Sequence, residues 1–139
     1  MFRLVVVIVA GGILAGVATA AKPPKPLTTL PKTLTTPTGN FITLYSVSSG
    51  AGVTNADVKI CTSAHTPPGT EAIPEFFSMR LSDGSSVRIE LTGAKSPALV
   101  VTPLGPKQCV RGWLAFATPK GAHATELVYT YGKPIVWKL

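Results

Sequence analysis

The chain has 139 residues, room for one folded domain and little besides. Only 14% of its residues are charged against 45% hydrophobic, and the formal net charge is +7. Arg3, Lys22, Lys25 and Lys32 all precede residue 40. The remainder is therefore only mildly basic, which argues against a nucleic-acid protein, where a dense basic stripe interleaved with aromatics is needed on the domain itself.

Arg3 opens an apolar run from Leu4 to Ala18 that closes in Ala18-Thr19-Ala20. A basic start, an apolar middle and an A-x-A site make a secretory signal peptide over residues 1–20, with Ala21 as the first mature residue. The alternative is an uncleaved membrane anchor, because the run with its small flanking residues approaches spanning length. Gly11, Gly12 and Gly16 favour cleavage, and no cysteine lies near the site to carry a lipid. The expected location is secreted and extracellular, with membrane contact only if the leader is retained.

Residues 21–40 crowd proline, lysine and threonine together and lack periodic apolar positions. They read as an extended, solvated linker. A β-domain is expected over residues 41–139. Phe41 to Val47 is rich in aromatic and branched residues and is broken by Ser48-Ser49-Gly50-Ala51-Gly52. Ala56, Val58 and Ile60 alternate with Asp57 and Lys59, the pattern of a half-buried strand. Thr66-Pro67-Pro68-Gly69-Thr70 is a loop.

Phe77, Met79 and Leu81 share one face of the next strand, and Val87, Ile89 and Leu91 answer them across Asp83-Gly84, a strong hairpin signal. A two-residue loop would set Leu81 against Ser86. A three- or five-residue loop sets Leu81 opposite Val87 and Met79 opposite Ile89, which keeps the apolar faces together, and the longer loop is expected. That register also places Arg80 opposite Arg88, with Glu90 diagonal. Ala98 to Thr102 is a short strand between prolines.

Cys109 to Ala117 is the clearest candidate for a central strand. Val110, Leu114 and Phe116 form its core face, with a gap at Gly112, and Arg111, Trp113 and Ala115 face the other way. Thr125 to Tyr131 follows with Leu127, Tyr129 and Tyr131 aligned, then Ile135, Trp137 and Leu139 in a last strand. No stretch keeps a helical period. The expected architecture is all-β, an antiparallel β-sandwich or small barrel of seven or eight strands.

Gly105-Pro106, Gly112-Trp113-Leu114-Ala115-Phe116, Pro119, Glu126-Leu127-Val128-Tyr129 and Ile135-Val136-Trp137, preceded by Met79-Arg80-Leu81-Ser82-Asp83-Gly84, carry a resemblance. Together they resemble the small secreted actinobacterial proteins typified by the mycobacterial immunoprotective extracellular antigen. The resemblance covers about the last half of the chain. It implies export and an immunoglobulin-like antiparallel β-sandwich, and it brings no catalytic residues. The cysteine pair and the Lys-Pro-Thr tail depart from the pattern.

Cys61 and Cys109 are the only cysteines, and an exported chain makes a single disulfide the default. Both share the parity of the charged positions Lys59 and Arg111, so a bridge between them would not cross the core. A zinc site from Cys61, His65, Cys109 and His123 has suitable ligand types, but Cys109 and His123 are separated by most of a strand and a turn. No metal is expected, and no other cofactor. Catalysis has little to draw on: His65 and His123 lack a G-x-S-x-G partner, and Glu71 and Glu75 suit a solvated loop better than an acid–base pair. Arg111 and Trp113 are the candidate binding surface, an aromatic–cation pair on the outward face. Packing of Trp113 under a loop or the tail is the alternative. The resulting expectation is an exported, non-catalytic interaction module whose partner is an extracellular protein or a cell-envelope component. A secreted hydrolase or zinc enzyme and an envelope-tethered structural protein are the rivals.

Overall fold

The structure, a computed structural model, describes Gly16 and residues 28–139. Apart from Gly16, the expected leader with its cleavage site, and Lys22 and Lys25 after it, lie outside the described residues. Ten strands follow in order: β1 (Lys32–Thr35), β2 (Phe41–Gly50), β3 (Val53–Cys61), β4 (Glu71–Ala72), β5 (Phe77–Leu81), β6 (Ser86–Glu90), β7 (Thr102–Pro103), β8 (Cys109–Ala117), β9 (Ala124–Tyr129) and β10 (Ile135–Lys138). The sole helical turn among the described residues is a 3-10 turn over Pro74–Phe76.

Eight strands are hydrogen-bonded in the order β1-β2-β3-β8-β6-β5-β9-β10, and β4 pairs with β7 in a small separate ladder. β8 does lie in the middle. It pairs antiparallel with β3 along the whole of both strands, from Val53↔Ala117 to Cys61↔Cys109. β6 pairs with β8 at Ile89↔Phe116 and with β5 from Ser78↔Arg88 to Arg80↔Ser86. It thereby joins two layers, β1-β2-β3-β8 and β5-β9-β10, into an antiparallel β-sandwich.

Alternation along each strand sends one set of side chains between the layers. Ile42, Leu44, Ala56, Val58, Ile60, Leu114 and Phe116 come from the first layer; Phe77, Met79, Leu81, Leu127, Tyr129 and Trp137 come from the second. Each large apolar side chain so buried contributes about 1.5–3 kcal/mol. A bulge between Leu44 and Ser46 changes the parity of β2, so that Val47 lies opposite Ala56 and packs on the same core. The gap at Gly112 is filled by main chain. A Cβ there would stand 2.6 Å from the Leu99 nitrogen, and Leu99 itself joins the core.

Four expectations need correction. The linker does not extend to residue 40. Lys32–Thr35 forms an edge strand on β2, Thr33 and Thr43 hydroxyls bond across it at 2.7 Å, and the Trp137 Nε1–H donates to the Lys32 carbonyl at 3.1 Å. Leu30 and Leu34 supply enough apolar contact to hold it against the core.

The hairpin loop is three residues, Ser82-Asp83-Gly84, with the Leu81 N–H donating to the Ser85 carbonyl. Met79 therefore faces Val87 rather than Ile89, and Arg80 faces Ser86 rather than Arg88. This register preserves the same faces, and Gly84 takes the positive φ of +86° that the tight loop requires. Arg80 instead bonds Glu126 on β9 at 2.9 Å, and Lys138 on β10 reaches the other oxygen of that carboxylate.

The strand expected at Ala98–Thr102 is mostly irregular, reduced to one bridge from Ala98 to Trp113 and the short β7. Finally, Leu91 falls beyond β6 and is 89% exposed, and Tyr131 falls beyond β9 and is 49% exposed.

Candidate functional site

The antiparallel register of β3 and β8 assembles the outward face. Asn55, Asp57, Lys59 and Cys61 point away from the core on one strand, and Cys109, Arg111, Trp113 and Ala115 do so on the other. Lys59 is directly opposite Arg111, an arrangement that on its own repels. Asp57, two residues from Lys59 and diagonal to Arg111, resolves it. Arg111 donates from Nε to Asp57 Oδ1 at 3.0 Å and from Nη2 to Oδ2 at 2.7 Å, a bidentate fork. Hydrogen bonding to Asp57, reinforced by its charge, raises the Arg111 guanidinium further above its ordinary proton affinity. Asp57 is buried to 7% exposure, whereas its partner's side chain is half in solvent.

The same guanidinium lies 3.8 Å from the centre of the Tyr45 ring, and Lys59 Nζ lies 5.7 Å from it. Tyr45 occupies the β2 bulge. One aromatic ring therefore seats two cations.

The upper half of this face is covered. Residues 92–96 cross it as a strap fixed by Asn55, whose amide donates to the Gly93 carbonyl at 3.4 Å and whose oxygen accepts the Lys95 N–H at 3.0 Å. Ala115 beneath is 1% exposed. The strap carries Lys95, whose Nζ sits 4.7 Å from the Trp113 ring centre and donates to Ser48 Oγ at 2.8 Å. Pro97 then hydrogen-bonds the Trp113 N–H.

Arg111 and Trp113 thus share a face and a shallow hollow of about 290 Å³, with Asp57 and Pro97. They do not form the expected pair with each other. Arg111 stacks on Tyr45, and the cation on Trp113 is Lys95. Trp113 is half-buried and flanked by the loop that carries Lys95 and Pro97.

Cys61 and Cys109 are directly opposite and joined, with Cα atoms 4.1 Å apart. The Thr62 N–H bonds the Gln108 carbonyl beyond them, which marks Cys61–Cys109 as a non-hydrogen-bonded pair, the closer of the two antiparallel spacings. Cys109 is exposed, so the bridge staples the outward face and does not cross the core.

That bond takes both thiolates the zinc tetrad needed. His65 lies in the loop after β3, and His123 lies at the other end of the sandwich, where its carbonyl accepts the Ser82 N–H of the β5–β6 hairpin. Glu71 and Glu75 line different hollows and do not form a pair.

The sequence reading missed Tyr45, Asp57, Lys59 and Lys95 as parts of this surface. Alternation already put Asp57 and Lys59 outward. Only the register reveals that they meet Arg111.

No family model matches the sequence, and no curated protein matches it. Among solved structures, MPT63, a secreted protein of Mycobacterium tuberculosis, matches with a TM-score of 0.60 over 83% of this chain and 98% of its own, at 18% identity. The chain shares the fold of MPT63. The likeness takes in nearly the whole of MPT63 and agrees with the all-β sandwich expected from the sequence. At that identity MPT63 lends the fold and no residue roles. No helix among the described residues is long and apolar enough to cross a membrane.

Proposed function

We propose that the chain is an exported, non-catalytic interaction module that contacts an anionic extracellular or cell-envelope partner through the outward face of β2, β3 and β8. The observation that carries this reading is the seating of Lys59 and Arg111 on Tyr45 and of Lys95 on Trp113. Three cations held on aromatic supports, one of them also forked onto a buried carboxylate, lose less side-chain freedom on binding than three free lysines would. Arginine and tryptophan are also the side chains that anchor interfaces most strongly. Export is supported by the leader pattern, by the disulfide, which persists in oxidising compartments, and by the fold shared with the secreted MPT63.

The test is titration with a sulfated polysaccharide, heparin, followed by calorimetry at low and high salt. Binding should weaken as salt screens the cations. Replacing Lys95 and Arg111 together by alanine should weaken it at least tenfold while the secondary structure persists. Unchanged affinity in the double variant would defeat the proposal.

A further inference from the structure

A second concavity lies at the disulfide end of the sandwich, away from the cation-bearing face. It is a groove of about 540 Å³ between the β1–β2 turn, the loop after β3 and the β9–β10 turn. That size falls within the roughly 300–1,000 Å³ of small-ligand sites. Its platform is aromatic. Phe76 and Tyr131 lie with ring centres 5.0 Å apart and tilted by 37°, and Tyr129 meets Phe76 edge-on at 6.1 Å. Tyr131 is 49% exposed, a large apolar surface left open to water.

Tyr129 supplies the second, independent observation. Its ring packs on Phe77 with centres 4.9 Å apart and the residue is 8% exposed, yet its hydroxyl has no hydrogen-bond partner among the described residues. Because no polar side-chain atom among them is sealed without a partner, that hydroxyl is not enclosed; it opens where Tyr129 lines the groove. Burial, and then the neighbouring Tyr131, raise its pKa, so it remains a proton donor. A hydroxyl that opens into the groove from an otherwise buried ring is a fixed polar group that a ligand can meet.

The remaining polar lining narrows the chemistry. Asn40, His65 and Glu71 contribute an amide, an imidazole and a carboxylate, and Thr38 and Thr70 contribute hydroxyls. Among the described residues no lysine or arginine lines the groove. An anion meets no lysine or arginine from these residues, which separates this groove from the cation-bearing face of β2, β3 and β8. Planar amide, imidazole and carboxylate groups can each meet hydroxyls, the carboxylate accepting two at once. A proline-rich peptide would present main-chain carbonyls, which suit the tyrosine hydroxyls but repel Glu71.

We propose that the groove binds a neutral sugar residue of a glycan. Its apolar C–H face stacks on Tyr131 and Phe76, and its hydroxyls bond Tyr129, Asn40, His65 and Glu71.

The experiment uses the isotope-labelled full chain, titrated with maltotriose, chitotriose and mannotriose and followed by amide chemical shifts. At least one of the three should produce saturable shifts confined to the groove-lining segments, residues 38–40, 65–76 and 129–131. Tyr131→Ala removes an exposed ring and should weaken that binding by about tenfold, the scale of one aromatic stacking contact. Tyr129→Phe keeps the core ring, removes only the hydroxyl, and should weaken it by about fivefold, the net worth of one hydrogen bond. The proposal is overturned if no trisaccharide shifts the groove, if the shifts survive Tyr131→Ala undiminished, or if a polyproline peptide shifts it where the sugars do not. Heparin binding at the other face is read separately, so either site can fail alone.

Discussion

The two faces of β8 show two ways of holding a strand. On the inner face Leu114 and Phe116 are within 2% of complete burial, and the one missing side chain, at Gly112, is replaced by the backbone of Leu99. On the outer face Arg111 and Trp113 are held by an ion-pair fork and by cation–aromatic contacts that water still reaches. The inner face draws on apolar area and close packing, which tolerate no rearrangement. The outer cations still meet water and can turn toward a partner, although Asp57 beneath the Arg111 fork is itself buried. Stability should therefore respond to changes on the inner side and recognition to changes on the outer side, with the disulfide as the one strong constraint on the outside.

The largest effect is expected from Phe116→Ala. The side chain is fully buried between the layers, so its loss should cost about 3–5 kcal/mol. For a domain of this size that corresponds to a fall in Tm of at least about 12 °C. A fall of only a few degrees would mean that the inner face is not the stabilising one.

Next comes the bridge. Cys61 and Cys109 are 48 positions apart, and chain entropy assigns a closed loop of that length about 4 kcal/mol. Because the bridge lies outside the core, the Cys61→Ser/Cys109→Ser protein should leave no cavity and should melt together with the reduced wild type. A double variant much less stable than reduced wild type would place the sulfurs in the packed interior.

How much of this was legible in the sequence follows the same division. The central strand, its two faces, the outward parity of both cysteines and the Asp83-Gly84 turn were all readable, because each depends on alternation within one strand or on a local turn. What remained hidden depends on partners from elsewhere in the chain. Residues 32–35 offer only Leu34 to a core and look like linker until β2 and Trp137 are beside them. The hairpin register had two solutions of equal parity, and Arg80 finds its counter-charge on β9 rather than within the hairpin. Lys95 meets Trp113 only because Asn55 ties down the strap that carries it. Nor could alternation show that Leu91 lies beyond the last pairing of β6, or that Tyr129 and Tyr131 end up at the rim of a groove.

A sharper probe of the inner face is Gly112→Ala. The added Cβ meets main-chain atoms of Ala98 and Leu99 at 2.6–2.9 Å, and main chain cannot swing aside as a flexible side chain can. Overpacking of this kind typically costs about 1–3 kcal/mol. The hydrogen bond from the Leu99 N–H to the Trp113 carbonyl, now 2.9 Å, should loosen with it and be seen as faster amide exchange at Leu99. Unchanged exchange and unchanged Tm would show that the segment 97–99 can retreat freely from β8.

The smallest effect lies on neither face and sets the scale for solvent-exposed polar contacts. Asp83 Oδ1 accepts the Ser85 hydroxyl at 2.6 Å and the Ser85 N–H at 2.8 Å. These bonds, the hydroxyl first, hold the Asp83 carboxyl below its ordinary value of 3.8. A carboxylate whose folded pKa is depressed contributes stability above its unfolded value and loses it as pH falls through the folded one. Ser85→Ala removes the larger of the two bonds and leaves the backbone one. Its Tm deficit against wild type should be constant near neutral pH, smaller than any change above, and should close as the solution is acidified below the ordinary carboxylate value. A deficit that persists undiminished in acid would show that the hydroxyl stabilises the turn without the charge, and that outward-facing carboxylates in this fold act through geometry alone.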